Sequence, residues 1–291
     1  MSQIITFRNS NNESIEFTDH SNFLIQGVDG LSGVSTRRVS YTGFMQDGEH
    51  YQGSTLGVRQ IVLSFALLAD NAEELLKARN RVNKLFNPKL GNGEFTYEFG
   101  SVKRKIVCVA DSLPTMGGLT NGDYCKGEVI LLAHDPYFTD TTETRVNVAT
   151  WRNLLRFPIS FTKEKQAFGY KEPSLIVNLK NNGDVECGMK IEFVAKGAVK
   201  NPSLINVNTQ EYIKLNHTMV AGEKIVITTS YGSKKVISEV NNSINNVMNY
   251  LDIDSTFLQL DTGDNLLRYD AEENLNHLEV NIVYSQRYLG V

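Results

Sequence analysis

The chain carries 291 residues, 41% of them apolar and 21% charged, with 29 Lys+Arg against 33 Asp+Glu for a net charge of −4. This ordinary globular composition excludes a disordered, collagen-like or disulfide-scaffolded chain, and a pI near 5.8 argues against a protein whose main task is to neutralise phosphates. At roughly 150 residues per domain, the length predicts two domains, each large enough to bury its own core.

No segment approaches the ~18 apolar residues that a membrane-spanning helix needs. Met1-Ser2-Gln3-Ile4-Ile5 lacks the basic region and apolar core of a secretory signal, so the product is expected to start in the cytoplasm. Cys108, Cys125 and Cys187 are dispersed and read as small buried apolar residues rather than a redox or metal set.

In the first third, Gln3–Phe7 and Ser14–Phe17 alternate apolar and polar residues around an Asn11-Asn12 turn, the pattern of a hairpin. Thr36–Tyr41 is a further strand, Asp47-Gly48 marks a turn before Tyr51, and Ile61, Leu63, Phe65 and Leu67 form one face of the clearest strand. A helix follows, capped by Asp70 or Asn71 and acidic at its start through Glu73 and Glu74. Its inner face is expected to hold Leu75, Leu76, Arg79, Val82, Leu85 and Phe86, and Asn87-Pro88 ends it. Gly91-Asn92-Gly93 is expected to be a hairpin turn, with strands over 94–99, 102–110 and 126–133 beyond it.

His134-Asp135-Pro136-Tyr137-Phe138 closes an amino-terminal domain, residues 1–138, and the polar Thr139–Thr144 stretch is expected to be a linker. The remainder, 139–291, consists of runs of about five to eight residues punctuated by Gly, Asn and Pro, which favours a β-sandwich or barrel. Residues 244–251 are expected to make one short helical turn.

Chemistry-bearing patterns are sparse. The five histidines are far apart, and HExxH, CxxC and GxSxG are absent, so neither a metal, a cofactor nor a catalytic residue is expected. Asp252/Asp254 and Glu272/Glu273 are the carboxylate pairs that a wall hydrolase would need. The bland alternatives are a turn with Ile253 tucked in and a solvated loop. Lys103-Arg104-Lys105 alternates along a strand, which suits a solvated strand or subunit contact better than a nucleic-acid site.

Several motifs taken together carry a resemblance. They are Asp47-Gly48 with Tyr51-Gln52-Gly53, the strand from Arg59 to Phe65 leading into the helix, Leu85-Phe86-Asn87-Pro88, and His134–Phe138. In the second half they are Asn182–Gly188, Gly197 to Pro202, Gly222–Ile227 and Gly263-Asp264-Asn265. The order and spacing of these segments resemble the distal tail proteins of long-tailed bacteriophages, prophages and phage-tail-like bacteriocins.

The resemblance implies a mainly β chain with an N-terminal split-barrel-like domain bearing one helix and a C-terminal galectin-like sandwich. It also implies a structural, non-enzymatic hub at the virion tail tip, assembled in the host cytoplasm as a ring of six. Its partners would be the tail tube protein, the tail-associated lysin or spike protein, and receptor-binding proteins, with DNA passing through the channel. The alternating strands of the first half would supply sheet edges for such a ring. Residues 27–53 are the expected ring or tube contact, with Arg37, Arg38, Asp47 and Tyr51 as candidate contact residues. The rival reading is a carbohydrate-binding wall-recognition module with Trp151, Phe168 and Tyr170 as its sugar platform.

Overall fold

The computed structural model describes residues 2–117, 124–148, 150–153, 169–172, 176–240 and 243–291, with backbone alone for 150–153 and 169–172. Contacts divide it into two units, Met1–Thr141 with Tyr288–Val291, and Thr142–Arg287.

The first unit contains β1 (Gln3–Arg8), β2 (Ser14–Thr18), β3 (Phe23–Asp29), β4 (Thr36–Tyr41), β5 (His50–Leu56) and β6 (Arg59–Leu68). After helix α1 (Ala72–Leu85) come β7 (Gly93–Phe99), β8 (Val102–Ala110), β9 (Thr115–Met116), β10 (Tyr124–Ala133) and β11 (Phe138–Asp140). Strands β8, β7, β1, β2, β3, β6 and β10 lie side by side in that order, and β10 pairs back onto β8, closing the sheet into a barrel. Two seams in that closure are thin. The parallel β2–β3 pair meets at Thr18 and Leu24, and β8–β10 meets at Ala110–Leu131 and Val109–Leu132.

Strand alternation explains this core. Ile5, Phe7, Ile15, Phe17, Ile61, Leu63, Phe65, Phe95, Ile106 and Leu131 all point inward and are buried. Gly127 stands opposite Phe65 because an added Cβ would come within 2.6 Å of that ring. The Asn71 side chain accepts from the Glu74 amide at 2.9 Å and caps α1, whose Leu75, Val82 and Leu85 pack on the barrel. Phe86, just past the helix, stacks on Phe7 with ring centroids 4.4 Å apart.

The second unit is a sandwich of two antiparallel sheets. One runs β12 (Thr144–Asn147), β25 (Leu278–Tyr284), β16 (Cys187–Ala195), β20 (Lys224–Thr228), β21 (Lys235–Val240) and β22 (Ser243–Asn246), with β23 (Gln259–Leu260) also on β16. The other runs β15 (Ile176–Asn181), β24 (Gly263–Glu273), β17 (Val199–Asn206) and β18 (Tyr212–Lys214), with β19 (Thr218–Met219) also on β17. Ile191, Phe193, Ile227 and Ile282 from one sheet meet Leu204, Ile213, Leu267 and Tyr269 from the other in a core separate from that of the barrel. The unit also holds a two-stranded ribbon, β13 (Thr150–Asn153) with β14 (Gly169–Glu172). The chain is thus mainly β, with a split-barrel-like first unit bearing one α-helix among the described residues and a β-sandwich second unit.

Several local expectations are corrected. Leu76 lies on the outer face of α1, because Leu75, Val82 and Leu85 already fill the contact with the barrel. Gly91-Asn92-Gly93 joins a short 3-10 turn, Pro88–Leu90, to β7 and is not a hairpin. The predicted linker is narrowed to residues 141–143, since β11 ends at Asp140 and β12 begins at Thr144. Residues 243–246 are strand, and the helical turn is confined to Met248–Tyr250. Ile253 is 96% exposed rather than tucked in, and β24 extends through Glu273 where a loop was expected.

Candidate assembly surface

The sheet of the first unit closes from β10 back onto β8 through two rungs, and its β2–β3 seam holds a single one. What stands outside the barrel sheet is the ribbon β4–β5, which forms a separate two-stranded sheet. Its base is tied by the Gly57 amide donating to the Ser35 carbonyl at 2.7 Å. An isolated two-stranded hairpin is marginally stable in water, because half of its backbone groups and both faces stay wet. Every residue of β4 is exposed.

The register sorts the ribbon into two faces. Pairs Arg37–Thr55, Val39–Gly53 and Tyr41–His50 share one face, and Arg38–Ser54 and Ser40–Tyr51 share the other. A bulge between Val39 and Ser40 shifts the register by one residue. It brings Tyr51 and Ser54 to the same side, where the Tyr51 hydroxyl donates to Ser54 Oγ at 2.8 Å. On the opposite side the rings of Tyr41 and His50 stack at 5.1 Å. Arg37 and Arg38 therefore point in opposite directions, and only Arg38 shares a face with Tyr51.

The tip, residues 42–49, folds on itself. The Gly43 amide donates to Gln46 Oε1 at 3.2 Å, the Gln46 amide to the Gly43 carbonyl at 3.2 Å, and Gln46 Nε2 lies 2.8 Å from His50 Nε2. Met45 and Gly48 take positive φ of 54° and 82° to turn the chain. This order pushes Phe44 and Met45 outward, 97% and 90% exposed. Asp47 sits beside them in the exposed tip. Two adjacent side chains of this size make the tip the candidate contact of the ribbon. The sequence reading chose this segment for its charges and turn residues. It did not single out Phe44 and Met45, although an apolar pair between two turn signals is visible in the sequence.

The other candidates separate differently. Trp151 pairs with Lys171 and Tyr170 with Arg152, so the two aromatic positions occupy neighbouring rungs of the β13–β14 ribbon. Phe168 lies outside the described residues. The basic run on β8 is largely neutralised. Lys103 pairs with Glu98 at 2.7 Å and Lys105 with Glu94 at 3.0 Å, while Arg104 donates to the Gly290 carbonyl and covers the Tyr288 ring.

Asp252 is held below its ordinary value first by the Asn216 side-chain amide and then by the Asp254 backbone amide, and Glu272 first by Lys214 and then by Asn201. Both are thereby kept ionised, and neither is poised as a proton donor. Among the described residues, no three His, Cys, Asp or Glu side chains converge to hold a metal, and no helix is long and apolar enough to cross a membrane.

Comparison with known proteins agrees with the two-unit division. Residues 10–119 match the family described as phage tail protein RIFT-related domain, and residues 182–288 match siphovirus-type tail component, C-terminal domain. The crystal structure of the Dit protein of phage SPP1, described as a paradigm of hub adsorption apparatus in phages infecting Gram-positive bacteria, superposes with a TM-score of 0.69 at 16% identity. That alignment covers 97% of this chain and 98% of the SPP1 protein. A chain of the phage P2 baseplate in its activated conformation with Ca gives a TM-score of 0.55 at 10% identity over 100% of both chains, and the form with Sr gives the same values. No curated protein matches the chain. With one tail-protein family model on each unit and a shared fold along nearly the whole length, the chain belongs to the siphovirus distal tail protein family.

Proposed function

We propose that the protein is a structural hub of a phage tail tip, a non-enzymatic component that assembles as a ring of six between the tail tube and the tip proteins. Membership in a tail-protein family and likeness to baseplate chains support the tail and baseplate role. The observation that carries ring assembly is the β4–β5 ribbon, a two-stranded sheet set apart from the barrel with Phe44 and Met45 presented at its tip. Covering an apolar side chain of that size contributes about 1.5–3 kcal/mol each, and a ring repeats the contact at every interface. The copy number of six rests on the family resemblance. The lysin or spike protein and the receptor-binding proteins are the partners on the face away from the tube, and the particle tip is the place of action.

The test replaces Phe44 and Met45 with Ser together and weighs the protein by light scattering, alone and with tail-tube subunits. Loss of the oligomer with an unchanged far-ultraviolet spectrum is the expected result. An oligomer of unchanged mass and affinity would refute a contact role for the ribbon. Charge reversals at Arg37 and Arg38, made one at a time, then report which face is covered.

A further inference from the structure

Arg59 is a full-length cation buried at the start of β6. Its Nε donates to the Pro136 carbonyl at 2.7 Å, Nη1 to the Gly30 carbonyl at 2.7 Å and Nη2 to the Leu289 carbonyl at 2.5 Å, with the Phe138 ring 4.9 Å from Cζ. A buried guanidinium is costly unless its fork is satisfied, and three carbonyls from three separate segments satisfy it here. One of these segments is the root of the ribbon. Gly30 follows β3 at a φ of +86°, pressed so closely on β6 that a Cβ there would fall 1.9 Å from the Gln60 carbonyl oxygen.

The segment Tyr288–Val291 closes over the same root. A Cβ on Gly290 would lie 3.0 Å from the Leu31 carbonyl oxygen and 3.2 Å from Ser32 Cα. Arg104 holds this segment from the other side, donating to the Gly290 carbonyl at 2.5 Å and lying 3.4 Å above the Tyr288 ring, and the Tyr288 hydroxyl donates to Asp140 at 3.3 Å. Tyr288, Val291 and Leu31 all pack on the barrel core.

We propose that Arg59 and the Tyr288–Val291 segment form a clasp that fixes the direction in which the β4–β5 ribbon leaves the barrel, and that assembly through the ribbon requires this clasp. Arg59 is in this reading a positioning residue, and Tyr288–Val291 works as a strap over residues 30–32. The proposal rests on the hub reading only in taking the ribbon as the contact. The physical reason is leverage. The ribbon extends about six residues beyond its base, roughly 20 Å at strand rise, so a small rotation at residues 30–35 displaces its tip by several ångströms.

Two mild variants and one severe variant test it in the full protein, each read by amide hydrogen exchange in the unassembled state and by light scattering. Gly290→Ala presses on Leu31, Arg104→Ala releases the strap, and a chain ending at Arg287 removes it. Exchange at residues 31–35 and 57–58 is expected to rise roughly tenfold in Arg104→Ala, with β1, β6 and β7 still protected. The concentration for half-assembly is expected to rise at least fivefold in both mild variants. Unchanged exchange at the root and unchanged assembly in Gly290→Ala and Arg104→Ala would overturn the clasp. If these variants loosen the root while assembly is untouched, the link to assembly is overturned. Failure of the hub reading is recognised separately, since there the Phe44 and Met45 double variant assembles like the parent protein.

Discussion

Single residues set the limits of this fold. Gly127 leaves room for the Phe65 ring, and the Gly127→Val variant is expected to lose about 1–3 kcal/mol in urea unfolding, because the fully buried ring must shift to admit the new side chain. Cys108 and Cys187 illustrate the opposite of a reactive site. Burial pushes their thiols up to about 12 and about 11, so both stay protonated at neutral pH, and Cys125 is buried as well. Native protein is expected to resist a thiol-specific reagent at neutral pH until denaturant exposes all three, whereas rapid labelling of the folded chain would show an opening that the structure does not contain.

Glu192 supplies a pH dependence. Burial alone would raise its carboxyl, but Lys224, Arg145 and Lys190 around it hold it below the usual carboxylate range. A group depressed in the folded state stabilises above its unfolded value of 4.5 and loses that contribution as the pH falls through the lower folded value. Glu192→Gln is therefore expected to be less stable than the parent by about 2 kcal/mol at pH 7, with the gap narrowing below pH ~4.5. A gap that is constant from pH 7 to pH 3 would show that the carboxylate charge contributes nothing.

At the scale of elements, the sequence reading succeeded where local chemistry decides the outcome. The Asn71 cap, the Pro88 stop and the apolar alternation of β1, β2 and β6 are short-range effects, and each element lies where its residues point. The reading failed where pairing between distant strands decides. Nothing within β8 or β10 signals that Val109 and Ala110 meet Leu132 and Leu131, and that two-residue seam is what closes the barrel. The role of Arg59 was equally hidden, because its three carbonyl partners lie 77, 29 and 230 residues away.

The candidate contact was half legible. The turn residues gave the place of the ribbon, but the bulge at Val39/Ser40, which puts Arg38 with Tyr51 and Arg37 with Tyr41, follows only from the register. Because the two arginines face opposite ways, the Glu variants of Arg37 and Arg38 are expected to differ in their effect on assembly by severalfold, measured as the half-assembly concentration. Equal effects would mean that the ribbon is enclosed on both faces.

For the whole molecule, two separate cores imply two cooperative units. Thermal unfolding is expected to give a calorimetric enthalpy larger than the van't Hoff value, the mark of more than one transition, and equality of the two would contradict independent cores. The hub account places function in assembly and in none of the side-chain clusters, whose charged members are engaged with one another. It therefore stands or falls on particle shape. Negative-stain electron microscopy of the purified protein, alone and mixed with tail-tube subunits, tests this most directly. The account predicts closed six-membered rings with a central opening, lost in the Phe44 and Met45 double variant. Single globular particles at every concentration, with and without the tube subunits, would contradict it.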